Sequence, residues 1–378
     1  MSDESTRDAR ARRLAAWQQA ERRLATGIVQ PLGDRLDRLA EEAGAAYDLG
    51  DWTDVYGDGP VAAVEERTAE LLGMPAAVWF PTGTMAQQVA LRCWAGRTGN
   101  PAVALHPLAH PERWEREALT RVAGLHVLHA GAGREPTGPA DVRGLDEPFG
   151  TLMLELPLRD AGFVLPSWEE LEETVAAARE REAVVHIDGA RLWECTTHFG
   201  RSTAGIASLA DSVYVSFYKS LGGLSGAALA GPESLVEEAR AWRHRYGGEV
   251  FQQWPAALGA LAGLDRRLPR LPAYVAHART VARAFREAFA EAGVPWFAVH
   301  PEVPHTHQFQ VWLPYGAEAL NSASVRQAKD TGTLLFRRWE DAGPGGLART
   351  ECTVDEPGLN WTADDARRAV VEFLGAVR

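Results

Sequence analysis

Short apolar runs alternate with helical patterns along the middle of the chain. The runs AAVWFPTGT, GTLMLELPL, AVVHIDGA, DSVYVSFYK and GLSGAALAG are rich in β-branched and aromatic residues or bounded by glycine, which is typical of buried strands. Between them, MAQQVALRCWAG and SWEELEETVAAARERE have helical spacing, and Ser167 with Glu170 forms a capping-box pattern. This alternation predicts an α/β architecture with a mainly parallel sheet.

Both ends of the chain depart from this pattern. The N-terminal segment ARRLAAWQQAERRLATG predicts a helix that ends at Gly27 and lies outside the core. A long helical stretch broken near Pro269 and Pro272 leads to WFAVHP, HQFQVWLP and TLLFRRWED, which predict strands, and to a final helix, ADDARRAVVEFLGAV. The predicted domains are a helical arm (1–48), a large α/β domain (49–255) and a small C-terminal α+β domain (256–378).

Composition and charge exclude several classes of function. The 378 residues are 46% hydrophobic and 24% charged, which is typical of a globular protein and excludes general disorder. The net charge of −12 is spread along the chain, so a nucleic-acid partner is not expected. No stretch approaches the roughly 20 apolar residues of a membrane span, and the N-terminus has no signal-peptide pattern. We expect a cytoplasmic protein with no membrane partner.

The cysteines do not suggest a metal site or a disulfide framework. Cys93, Cys195 and Cys352 are far apart in the sequence, and their number is odd. No histidine pair is accompanied by a cysteine or a HExxH pattern. We therefore predict no structural metal.

The lysines draw attention because they are so few. Of 39 basic residues, only Lys219 and Lys329 are lysines. Arginine cannot be deprotonated to act as an amine nucleophile, whereas lysine can. Lys329 lies in a polar helical pattern, but Lys219 follows an apolar strand and precedes a glycine-rich turn. Lys219 is therefore a candidate for covalent chemistry with a carbonyl group.

Three other positions carry candidate chemistry, each beside a plainer interpretation. Gly83 and Thr84 stand where a strand gives way to a helix, which suits a phosphate group or simply a tight turn with a helix cap. Asp188 ends a strand, where α/β sheets bind ligands, or it caps the next segment. His110 is a catalytic candidate or a structural histidine. Taken in order with Lys219, these groups match what pyridoxal phosphate (PLP) requires: a helix N-terminus, a carboxylate and an amine.

The sequence resembles the threonine aldolases, within the aromatic amino acid β-eliminating lyase group of fold-type-I PLP-dependent enzymes. The resemblance runs from about Asp54 to Arg349 and rests on four segments: DVYGDGPVAAVEERTAELLGMPAAVWFPTGTMAQQVAL, HIDGARLWE, SFYKSLGGLSGAALAG and ARAWRHRYGG. It implies a large domain with a mainly parallel sheet and a smaller C-terminal domain.

The resemblance assigns cofactor roles to matching residues. Lys219 is similar to the family's Schiff-base lysine, and Asp188 to the partner of the pyridinium nitrogen. Gly83 and Thr84 match the phosphate-binding turn. His110 falls where the family has a histidine stacked on the cofactor ring, and we expect it, or a water it positions, to act as the base.

Substrate contacts follow from the same resemblance. Arg191 matches an arginine that reaches the cofactor and the substrate carboxylate, and Arg349 resembles a small-domain arginine that binds that carboxylate. Tyr56 lies in a segment near the family's active site. Phe251 replaces an arginine that the family has after its paired glycines.

Two further departures concern polar segments. The family's serine-aspartate-threonine segment has no counterpart near GDRLDRLAEEAG, and ELPL (Glu155 to Leu158) replaces an ENTH-like segment. Loss of polar contacts at Leu156 and Phe251 suggests a substrate with an apolar or aromatic β-substituent.

The expected function is therefore PLP-dependent aldol cleavage of a β-hydroxy-α-amino acid to glycine and an aldehyde. The alternatives are a PLP-dependent β-eliminating lyase, a transaldolase and a non-catalytic homologue. The resemblance also implies a homodimer or homotetramer with active sites at the subunit interface. An apolar face of the N-terminal helix, with Leu14, Trp17 and Leu24, is a candidate contact with a neighbouring subunit.

Overall fold

The computed structural model describes residues 2–26, 30–343 and 345–377. The chain forms two compact units, one from residues 1–36 together with 271–378 and the other from residues 37–270. These units differ from the predicted domains in three places. Residues 1–36 of the predicted arm group with the C-terminal residues, whereas residues 37–48 of that arm and residues 256–270 group with the large unit.

The helices of the described residues are α1 (Ser2–Gln19), α2 (Leu32–Ala46), α3 (Pro60–Leu72), α4 (Gly83–Thr98), α5 (His110–Trp114), α6 (Ala118–Arg121), α7 (Pro139–Arg143), α8 (Trp168–Glu180), α9 (Thr196–Phe199), α10 (Thr203–Ala207), α11 (Glu233–Arg245), α12 (Trp254–Arg266), α13 (Leu271–Glu291), α14 (Ala317–Thr331) and α15 (Ala363–Val377). Short 3₁₀ segments are Leu192–Glu194, Leu268–Arg270 and Glu356–Asn360.

The strands are β1 (Arg22–Arg23), β2 (Ala76–Phe80), β3 (Ala102–Leu105), β4 (His126–His129), β5 (Thr151–Glu155), β6 (Val184–Gly189), β7 (Ser212–Ser216), β8 (Ala227–Gly231), β9 (Ala298–His300), β10 (Gln308–Leu313), β11 (Thr333–Leu334), β12 (Glu340–Gly343) and β13 (Leu347–Thr353). The large-unit runs that we interpreted as strands are confirmed as β2, β5, β6, β7 and β8.

The large unit is built on a sheet with the order β2-β8-β7-β6-β5-β3-β4. Strand β8 is antiparallel to both its neighbours, and the other strand pairs are parallel. Only a short connection separates β7 from β8, too short for a crossover helix, so β8 returns antiparallel. The carboxyl ends of β2, β3, β5, β6 and β7 therefore share one edge of the sheet. This mainly parallel α/β sheet confirms the predicted fold class.

Helix α8 begins as its sequence predicts. The Ser167 hydroxyl accepts a hydrogen bond from the backbone N–H of Glu170 (3.2 Å), and the Glu170 carboxylate accepts one from the backbone N–H of Ser167 (2.9 Å). This reciprocal pair is a complete capping box, and it fixes the point where the chain leaves the loop after β5.

The C-terminal unit contains an antiparallel sheet with the order β12-β13-β10-β9. Its core includes Phe285, Phe336 and Phe373, all buried. The run TLLFRRWED, predicted as one strand, forms β11 and β12 with a break between them. Phe336 and Trp339 are both buried, and their rings lie 4.9 Å apart. A continuous strand would send these two side chains to opposite faces, so the segment bends to bury both.

The N-terminal helix is shorter than its pattern predicts and packs within the C-terminal unit. It ends at Gln19, and the predicted end at Gly27 lies outside the described residues. Ala16 of this helix and Ala20, just after its end, pack against residues of α14 and β11. Leu24 is 4% exposed and belongs to the core of that unit, so it offers no free face to a neighbour.

None of the described helices combines the length and apolar character that a membrane crossing requires.

Candidate active site

Polar side chains form a row along the carboxyl edge of the large sheet. Glu155 is the last residue of β5 and pairs in register with Asp188 of β6, which pairs in turn with Tyr214 of β7. Residues in register on neighbouring strands project from the same face of a sheet. Two carboxyl groups and a phenol therefore lie side by side where the strands end.

The buried Asp188 carboxylate and the Lys219 amine influence each other. Asp188 is 2% exposed, and its Oδ1 accepts a hydrogen bond from the backbone N–H of Ala190 (3.1 Å). Burial raises the pKa of Asp188, and the charge of Lys219 opposes that rise. Burial lowers the pKa of Lys219 to about 8, with a further lowering by Arg191, while Asp188 acts in the opposite direction. Part of the Lys219 population is therefore neutral, and nucleophilic, near physiological pH.

The start of α4 lies against this row. A Cβ atom at Gly83 would stand 2.0 Å from the Tyr214 hydroxyl, so only glycine permits this approach. Thr82 caps the helix by accepting a hydrogen bond from the Met85 N–H (3.2 Å). Gly83 and Thr84 are the first residues of α4, and the first N–H groups of a helix have no partner within it. The helix start is thus available to an anion beside Tyr214.

His110 stands at the same edge, as the first residue of α5, which follows β3. Its Nδ1 lies 3.0 Å from Oε1 of Glu115, whose side chain is 2% exposed, while the imidazole is 32% exposed. The backbone N–H of His110 donates to Oε2 of Glu155 (2.6 Å). An Nδ1–H donating to the Glu115 carboxylate leaves Nε2 as the basic nitrogen.

Arg191 follows β6 and is largely buried, with a side-chain exposure of 13%. Its guanidinium carbon lies 5.3 Å from the centre of the Phe163 ring. Its Nε is 3.9 Å from the Glu194 carboxylate and makes no hydrogen bond within the described residues. A buried guanidinium N–H that has no hydrogen-bond partner within the described residues is suited to an anionic ligand.

Tyr56 and Phe251 contact each other on the surface of the large unit. Their rings meet edge to face with centres 5.7 Å apart, and they are 59% and 58% exposed. The backbone N–H of Gln252 donates to the carbonyl of Val55 (2.9 Å), which joins the two loops. Two residues far apart in the sequence thus form one exposed aromatic pair.

Two residues of the sequence analysis lie elsewhere. Arg349 belongs to β13 of the C-terminal unit, where its guanidinium carbon is 5.8 Å from the centre of the Trp312 ring. Its role toward a substrate carboxylate stays a prediction. Leu156 is 3% exposed and lines a small, partly open pocket with His106 and Leu158.

The sequence alone did not indicate that Glu155 and Tyr214 lie beside Asp188. Both are strand residues whose importance lies in the register with Asp188, which is a property of strand pairing. The sequence does contain an indication for Glu155. Burying a carboxylate at the end of an otherwise apolar strand costs free energy unless the carboxylate forms hydrogen bonds or ion pairs.

No group of three or more His, Cys, Asp or Glu side chains among the described residues could hold a metal ion.

Comparisons with known proteins identify the family of this chain. The model of the beta-eliminating lyase family matches residues 37–295. The low specificity L-threonine aldolase of Escherichia coli K12 is 31% identical over 278 residues, which cover 68% of this chain and 78% of the aldolase.

Solved structures extend the likeness to nearly the whole chain. A protein assigned as an L-allo-threonine aldolase from Listeria monocytogenes has a TM-score of 0.88 and 31% identity, covering 97% of this chain and 99% of its own. A serine palmitoyltransferase variant from S. paucimobilis with bound PLP has a TM-score of 0.65 and 19% identity, covering 94% and 86%, and at that identity it shows the fold alone. The chain thus belongs to the beta-eliminating lyase family and has the fold of the fold-type-I PLP-dependent enzymes.

Proposed function

We propose that this protein uses PLP to cleave a β-hydroxy-α-amino acid into glycine and an aldehyde. The observation that carries the proposal is that a partly buried amine, Lys219, which follows β7, and a buried carboxylate, Asp188, near the end of the adjacent β6, influence each other electrostatically. The family and its threonine aldolase relatives support the same chemistry.

The chain's own groups fit this cofactor. Lys219 supplies an amine for its aldehyde, and Asp188 supplies a carboxylate for its ring nitrogen. Gly83 and Thr84 supply the helix start for its phosphate. The buried Nε of Arg191, which has no hydrogen-bond partner within the described residues, is a further donor toward an anion. When bound, PLP withdraws electrons from the substrate Cα, so that a bond to that carbon can break.

His110 is positioned to move a proton. Cleavage of the Cα–Cβ bond requires a base to remove the proton of the β-hydroxyl group. With Nδ1–H donating to Glu115, Nε2 of His110 takes up this proton, and the Glu115 carboxylate stabilises the resulting imidazolium. Arg191 orients the substrate through its carboxylate.

The aromatic pair of Tyr56 and Phe251 supports a preference for substrates with an apolar or aromatic β-substituent. Phe251 removes the charge that the family has at that position, and the paired rings offer an apolar surface. We propose that phenylserine is cleaved with higher kcat/KM than threonine.

Product analysis tests the proposal. Purified protein with added PLP is assayed on threonine, allo-threonine, phenylserine, serine and cysteine. We expect glycine and an aldehyde from the first three, and we expect Lys219→Ala to abolish both products because the amine is lost. Lys329→Ala is the matched control, since it removes the other lysine of the chain, and it retains full activity. Equal activity in wild type and Lys219→Ala would contradict the proposal.

A second candidate reaction is β-elimination, because the family whose model matches this chain is that of the beta-eliminating lyases. The same amine and carboxylate serve when the Cα–H bond breaks and a β-substituent leaves. Pyruvate and ammonia from serine or cysteine, without glycine from threonine, would identify this reaction.

We further propose that the protein acts as a homodimer or homotetramer. Trp52 is 96% exposed and lies in sequence close to the exposed Tyr56, and Phe251 extends the apolar surface. A surface of this kind on a soluble enzyme indicates a contact with another protein. Sedimentation analysis of wild type and Trp52→Ser tests this, and a wild-type monomer at micromolar concentration would contradict it.

A further inference from the structure

We propose that Glu155 is a positioning residue for the proposed reaction: its carboxylate holds the backbone of His110 and the turn after β5 in place beside Asp188. The inference rests on the proposed function for the roles of His110 and Lys219. Glu155 itself has no role in that proposal.

The carboxylate of Glu155 joins two separate segments. Its Oε2 accepts a hydrogen bond from the backbone N–H of His110 (2.6 Å), and its Oε1 accepts one from the backbone N–H of Arg159 (3.2 Å). The first bond fixes the start of α5, where the residue before it, Ala109, has no side chain that could cap. The second closes the turn after β5. Glu155 therefore anchors the backbone of His110, whose imidazole is oriented in turn by Glu115.

The position of Glu155 in the sheet adds an electrostatic role. Its strand pairing places it beside Asp188, and the ladder continues through the bond from the Leu156 N–H to the Asp188 carbonyl (2.9 Å). Burial, followed by the charge of Asp188, raises the pKa of Glu155 to about 7. The ionisable and charged groups that face Glu155 from the surrounding elements are His106, His110, Arg159, Asp188 and Lys219.

Two variants separate the two roles. Glu155→Gln keeps the shape of the side chain but removes the charge and turns one acceptor oxygen into a donor, which cannot accept from a backbone N–H. Glu155→Asp keeps the charge but is one methylene too short to make both bonds. Glu180→Gln is the matched control, since Glu180 lies on the surface in an ion pair with Arg143.

The first measurement uses apo protein and needs no activity. The chain has only two lysines, so protein labelled with ¹³C-lysine gives two ε-carbon signals, and Lys329→Arg assigns them. We expect the pKa of the Lys219 amine to fall in Glu155→Gln, because a negative charge that favours the ammonium is gone. In Glu155→Asp and Glu180→Gln it stays as in wild type. An unchanged amine pKa in a folded Glu155→Gln protein would overturn the electrostatic role, whatever reaction the enzyme catalyses.

The second measurement is a double-mutant cycle on kcat. We expect Glu155→Gln and Glu155→Asp each to lower kcat by about tenfold to a hundredfold with little change in KM, because the base is displaced. In the His110→Ala background, Glu155→Asp should have almost no further effect on kcat, since its loss acts through His110. Additive losses, or a change in KM alone, would overturn the positioning role. If the Glu155→Gln protein does not fold, the double-mutant cycle of Glu155→Asp with His110→Ala still tests the positioning role.

Discussion

The strand-end row and the aromatic pair are built in opposite ways. The strand-end row consists of Glu155, Asp188 and Tyr214, which are paired in register on neighbouring strands, so the strand register determines their spacing. Tyr56 and Phe251 come from two loops, are more than half exposed, and meet edge to face. The first region is part of the central sheet, whereas the second lies on the exposed surface of the large unit.

We expect the strand-end row to determine the rate of the reaction and the aromatic pair to determine substrate preference. Burial gives the strand-end groups their altered pKa values, so a substitution there changes reactivity. The exposed loops carry no such constraint, and side chains there can vary without disturbing the sheet. We therefore expect large losses of rate from changes in the row and changes of substrate preference from changes in the pair.

The largest effect after loss of Lys219 should come from Asp188→Asn. The amide keeps the size of the side chain but cannot hold a proton on the cofactor's ring nitrogen, so we expect kcat to fall by about 10²–10³-fold. Steady-state kinetics on the best substrate measure this. Asp330→Asn, at an exposed position in the C-terminal unit, is the control and should match wild type. A less than threefold loss in Asp188→Asn would argue against a cofactor role for this carboxylate.

His110→Ala should lower kcat by about 10²-fold, the usual contribution of a general base. Loss of the partner, in Glu115→Gln, should have a smaller effect in the same direction, because the imidazole remains but its orientation is less fixed. His129→Ala serves as control, since His129 is an exposed histidine paired with Glu112. If His110→Ala retained its rate on threonine and phenylserine, another group would have to remove the hydroxyl proton.

The Lys219 amine should make PLP uptake depend on pH. Only the neutral amine attacks an aldehyde, and the pKa of Lys219 is lowered to about 8. The rate at which apo protein takes up PLP, followed by absorbance, should rise about tenfold per pH unit below this pKa and level off above it. Lys329→Arg should give the same profile. A rate that does not vary between about pH 6 and 9 would mean that amine deprotonation does not limit uptake.

Much of the strand-end row follows from the sequence. Parallel strands bring their carboxyl ends to one edge, so Asp188 near the end of β6 and Lys219 after β7 could be placed together from the order of apolar runs. Glu115 lies five residues from His110, and this contact is equally local. In these cases the sequence distance, or the strand order, is enough to predict proximity.

The rest depends on long-range pairing that no local pattern contains. The contact of Glu155 with His110 requires β5 to lie beside β3. Strand β4 is half exposed and begins and ends in histidine, so it gives no clear strand pattern. Leu24 joins the C-terminal core through partners more than 250 residues away along the chain, which the helical pattern at the N-terminus could not indicate.

The smallest effect should come from the aromatic pair, and it should appear as a change of preference. Phe251→Ala removes an apolar surface, so we expect kcat/KM for phenylserine to fall by about fivefold to tenfold while that for threonine changes little. Tyr56→Phe is the control, because it keeps the ring contact and removes only the hydroxyl group. The ratio of the two kcat/KM values, measured by competition in one reaction, cancels errors in enzyme concentration. An equal fall of kcat/KM for both substrates would show that Phe251 supports the fold of its loop. The aromatic pair would then differ from the strand-end row only in the size of its effect on activity.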